Sequence, residues 1–138
     1  AYLTVQVRQN SKALELQNQF AAAQIMQART DTSMCFLSSM VSSSLNMKTA
    51  FELMSVKETD SVDGFSAEDK DRIFFILQMQ RGMFENLYDQ NKRGLLTEGY
   101  YDGAPTKNLK TIAGAFLAFE TPMSNEFETE VRRVLALP

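Results

Sequence analysis

Residues 66–94 read SAEDKDRIFFILQMQRGMFENLYDQNKRG. Ser66 precedes Glu68 and Asp69, so a side-chain cap is followed by two carboxylates where the positive end of a helix dipole would lie. Ile73, Phe74, Phe75, Ile76, Leu77, Met79, Met83, Phe84, Leu87 and Tyr88 then supply an apolar series, and Gly94 is a natural left-handed terminator. The run from Ile73 to Leu77 is apolar on every face, which predicts that this is the most buried helix. Gly82 lies mid-helix at a cost of about 1 kcal/mol relative to alanine, so another backbone is expected to approach there.

Upstream, Leu3 to about Ala28 contains neither Gly nor Pro and consists mostly of strong helix formers. Leu3, Val7, Asn10, Leu14, Gln17 and Ala21 form a seam close to the coiled-coil spacing, diluted by two polar residues. Two readings stand: an amphipathic helix packed in an ordinary bundle, or a self-associating stalk whose Asn10 and Gln17 select register. The apolar set continues through Met34, Phe36, Leu37, Met40 and Val41. A helix of roughly 40 residues would be about 60 Å long against about 37 Å for a compact globule of this size, so it should break near Thr30 or project. Cys35 reads as a buried small hydrophobe.

Ser42 to Ser44 offer caps for a short second helix, and residues 57–65 read as a polar surface loop without the full ligand ladder of a calcium site. After Gly94, Thr97 is a plausible cap for a segment bearing Tyr100 and Tyr101, which Asp102-Gly103-Ala104-Pro105 should break or kink. Leu109, Ile112, Ala113, Phe116 and Leu117 have helical spacing, and Ser124 can cap a last helix with Phe127, Val131, Val134 and Leu135. No stretch alternates with period two. The reading is an all-α bundle of about five helices, with residues 1–138 as one domain and residues 1–28 as a candidate stalk or membrane-proximal helix.

Composition narrows the function. The chain has 138 residues and a net charge of -3, which gives no broad positive field for nucleic acid. There is no His and only one Cys, which excludes Ser-His and Cys-His nucleophile pairs, His-bearing zinc sites and Glu-x-x-His di-iron sites. No cofactor is indicated, and the inventory leans away from an enzyme. The strongest polar constellation is Arg81, Glu85, Tyr88 and Asp89 with Lys92 and Arg93. One reading makes it an internal ionic network. The other makes Arg81, Glu85, Tyr88 and Tyr100 a small-molecule pocket around a tuned acid.

The segment Arg81 to Leu96, with Phe84-Glu85-Asn86-Leu87-Tyr88 leading into Gly94-Leu95-Leu96, resembles the core of a family of uncharacterised bacterial proteins with membrane-anchored helical domains. Gly99-Tyr100 stands where that family has a Gly-Tyr or Gly-Trp pair, and Arg8 to Leu14 and Met123 to Phe127 are similar to its first and last segments. The chain departs from the family at Ala113-Gly114, Phe116 and Phe119, where a Gly-Gly and paired tryptophans are usual, and at Pro105. The resemblance implies a segment upstream of Ala1 in the inner membrane and a domain facing the cytoplasm, consistent with Arg8 and Lys12 near that edge. The start at Ala1, with no initiator Met and no cleavable signal pattern, reads as a piece of a longer polypeptide. The expected role is a non-catalytic interaction or scaffold domain, with a protein partner or a second copy engaging the N-terminal helix.

Overall fold

The structure, a computed structural model, describes residues 1–138 apart from the side chain of Val41. Its helices are α1 (Tyr2–Val41), α2 (Ser44–Leu53), α3 (Ala67–Lys92), α4 (Ala104–Ala118) and α5 (Asn125–Leu135), and the described residues contain no strand. The all-α reading and the long first helix are both observed. The chain divides into two units, Ala1–Met34 and Cys35–Pro138.

The first unit is helical from Tyr2 onward, and every side chain in it is exposed except Ile25, Arg29 and Ser33, which are half-buried. α1 does not break at Thr30. The reason lies in how the local polar groups are used. Thr30 Oγ1 donates to the Met26 carbonyl at 3.0 Å and Thr32 Oγ1 to the Ala28 carbonyl at 2.8 Å, so both hydroxyls bond within the helix instead of competing with it. Gln27 Nε2 adds a bond to Asp31 Oδ1 at 2.8 Å one turn on.

In the second unit three helices begin on a serine. Ser43, Ser66 and Ser124 accept from the backbone N–H groups of Asn46, Asp69 and Phe127, at 3.3, 3.1 and 3.2 Å. α3 ends as its sequence requires: Gly94 has φ 70, its N–H donates to the Asn91 carbonyl, and the Leu95 N–H reaches back to the Gln90 carbonyl. α4 starts on Pro105 in its first turn, where a missing N–H costs nothing, so the proline opens a helix rather than kinking one. Thr97 caps no helix; its carbonyl closes a turn with the Tyr100 N–H.

α4 packs on both α5 and α3, and α2 packs on α3. The most enclosed element is α4, not α3: Leu109 and the whole run Ile112 to Phe116 are buried. α3 buries the single stripe Ile73, Ile76 and Leu77, and leaves Phe74 51% and Phe75 68% exposed. An apolar run is buried all round only where neighbours lie on every side, and the side of α3 that carries Phe74 and Phe75 is largely open. The glycine contact moves in the same way. An alanine methyl at Gly82 would meet nothing within 4 Å, whereas at Gly114 it would lie 2.3 Å from the Val56 carbonyl oxygen. Met40, at the end of α1, is buried with Leu53, Phe116, Phe127 and Val131 in the same core. Cys35 is exposed rather than buried.

With open space at Gly82, Gly82→Ala should add about 1 kcal/mol through helix propensity alone. The expected reading in urea is a higher midpoint with an unchanged slope.

Candidate functional site

The polar face of α3 meets the start of α5. Glu85 uses both carboxylate oxygens: Oε2 accepts from Arg81 Nη1 at 2.9 Å and Oε1 from the backbone N–H of Ser124 at 3.2 Å. Arg81 Nη2 donates to Gln78 Oε1 at 3.0 Å, and its Nε is buried without a partner. Ser124 is the N-cap of α5, and in a capping box the cap's own N–H is satisfied by a Glu or Gln three residues on. Here that position is Phe127, which has no acceptor. Glu85 supplies the missing acceptor from another helix. One turn further along α3, Tyr88 packs its ring 5.9 Å from Phe127 and 6.2 Å from Tyr101. Lys92 then pairs with Glu126 in the first turn of α5.

Burial alone would raise the Glu85 carboxyl, but the Ser124 N–H and the Arg81 guanidinium outweigh it and hold the group below its ordinary value. The arrangement therefore favours an ionised carboxylate, unlike a general acid that must hold its proton near neutrality. Tyr100, the fourth residue of the pocket reading, is 46% exposed, and the tyrosine beside Tyr88 is its neighbour Tyr101. The structure thus joins Arg81, Glu85 and Tyr88 along one helix face and puts Tyr101 against Tyr88.

Sequence reasoning did not single out a second cluster. Glu130 is buried, and its carboxylate accepts from Arg133 Nε and Nη2, both at 2.7 Å, and from the Tyr101 hydroxyl at 3.2 Å. Burial, then the Glu130 carboxylate, pushes the Tyr101 phenol well above its usual value, so it remains a donor. The only signal in the sequence was Glu130 in the apolar series Phe127, Val131, Val134, with Arg133 three residues on.

Two acidic residues of the 57–65 loop serve the loop itself, and the third, Glu58, pairs with Arg132 of α5. Asp60 Oδ2 accepts from the Lys57 N–H at 2.7 Å, and Asp63 Oδ2 from the Ser61 hydroxyl at 3.2 Å. Among the described residues no group of three or more Asp, Glu or Cys side chains is placed to hold a metal ion, and no helix is long and apolar enough to cross a membrane. Comparison of the chain with family models, with curated proteins and with solved structures finds no match.

Glu85→Gln keeps an acceptor for Ser124 but loses the charge, and should cost about 1 kcal/mol near neutrality. Because the folded state holds this carboxyl below its ordinary value, its stabilisation is complete above the usual carboxylate range and is lost as pH falls through the depressed value. Urea midpoints of the two proteins should differ at pH 7 and converge in acid. A gap that persists unchanged into acid contradicts the assignment.

Proposed function

We propose that this chain is a non-catalytic interaction domain of a membrane-anchored bacterial protein, and that it acts through contacts of residues 2–28 with a second copy. The observation that carries this reading is the exposure of large apolar side chains along that segment: Leu3, Val7, Leu14, Leu16 and Phe20 are each more than half exposed. At 3.6 residues per turn, Leu3, Val7, Leu14 and Ala21 fall on one stripe and Tyr2, Ala13, Leu16 and Phe20 on another. Arg8, Lys12 and Glu15 share a third side, which leaves a broad uncharged arc. An arc wider than a single seam suits a helix that touches more than one neighbour, and polar Asn10 and Gln17 within it are of the kind that set register.

The network at Glu85 fits the same reading, because one carboxylate oxygen holds the start of α5 through the Ser124 N–H and the other is engaged by Arg81 on α3. The setting at the cytoplasmic face of the inner membrane rests on the resemblance around Phe84 to Leu96, and requires an apolar run of about 20 residues encoded before Ala1.

Light scattering across a range of protein concentrations should give a mass that rises above the monomer. Leu14→Glu with Phe20→Glu should return it to the monomer with helix content preserved, since both side chains are exposed in the single chain. A monomer at every concentration would overturn the proposal.

A further inference from the structure

A cavity of about 410 Å³ opens between the 57–65 loop, α3 and the end of α4. Its volume falls within the range of small-molecule sites, roughly 300–1,000 Å³. Val62, Phe74, Leu77 and Phe119 give it an apolar wall, and Lys70 and Glu120 bring one charge of each sign to it. Phe119 is fixed by edge-to-face contact with Phe65 at 5.3 Å.

The two charged groups of this cavity lack protein partners, and one sits in an unfavourable position. Among the described residues neither Lys70 nor Glu120 forms an ion pair, with each other or with anything else. Glu120 is the one non-glycine residue with positive φ among the described residues, at 49, where the Glu120 and Thr121 N–H groups close the end of α4 on the Leu117 and Phe116 carbonyls. Glycine is the usual residue at such a position, and a carboxylate there also faces the negative end of the helix dipole. A bound cationic group would offset the second of these.

We propose that this cavity binds a small apolar α-amino acid as its zwitterion, with the ammonium on Glu120, the carboxylate on Lys70 and the side chain against Phe74, Leu77 and Phe119. A simple amine would satisfy Glu120 but bring a second cation beside Lys70. A simple carboxylate would do the reverse at Glu120. The zwitterion carries an opposite charge for each of the two residues and leaves an apolar remainder of the right character for the wall. This proposal does not depend on the self-association of α1.

Isothermal titration of the full chain with L-phenylalanine, phenethylamine and 3-phenylpropionate distinguishes the three chemistries. L-phenylalanine should bind at millimolar concentrations or below, and each analogue about tenfold or more weakly, in keeping with loss of a charged hydrogen-bonding group. Glu120→Gln should weaken L-phenylalanine and leave 3-phenylpropionate no weaker, while Lys70→Met should weaken L-phenylalanine and leave phenethylamine no weaker. Both substitutions are at exposed side chains, and thermal melts check that each variant folds. Absence of heat with L-phenylalanine, equal affinity for all three compounds, or indifference to both substitutions overturns the proposal.

Discussion

The architecture of residues 35–138 depends on one close approach: the backbone at Val56 and Lys57 crosses α4 at Gly114, where only a hydrogen fits. That crossing brings the chain after α2 down onto α4 and lets the run Ile112 to Phe116 be covered on all sides. Leu53, Phe116, Phe127, Val131 and Val134 are then fully buried in one cluster. Close-packed interiors do not yield smoothly to added atoms, so a contact between backbones at this distance defines the spacing of everything around it.

The second constraint is the way α5 is held. Its inner face is apolar, but its start is fixed by a polar face on α3, where Glu85 completes the cap at Ser124, Tyr88 stacks toward Phe127 and Lys92 meets Glu126. These residues recur at about one turn along α3, so a single helix face carries the entire contact. A carboxylate with both oxygens engaged gives orientation and rigidity to this seam.

Much of the fold was legible because it is written locally. Ser66 before Glu68 and Asp69, Gly94 after Lys92 and Ser124 after Pro122 are cap and turn chemistry that acts within a few residues, and each stands at a helix boundary. What depends on neighbours was not legible. Phe74 and Phe75 look like core in the sequence, yet each is more than half exposed. Gly82 and Gly114 are alike as mid-helix glycines, and only the packing tells which one another backbone crosses. The polar set Arg81, Glu85 and Tyr88 was recognisable from its spacing, but its partner Ser124 is 39 residues from Glu85, and Tyr101 rather than Tyr100 meets it because the turn before α4 directs the second tyrosine inward.

Residues 2–28 stand apart from these constraints, since their large apolar side chains other than Ile25 are exposed. That contrast between a core organised around one glycine and a helix with unused apolar surface underlies the reading of an interaction domain. The most direct test of the core is the equilibrium unfolding of Gly114→Ala. Alanine is the better helix former by about 1 kcal/mol, so propensity alone predicts a gain. The account predicts the opposite sign, a loss of roughly 2 kcal/mol or more as the added methyl forces Val56 away. An unchanged or higher stability would contradict it.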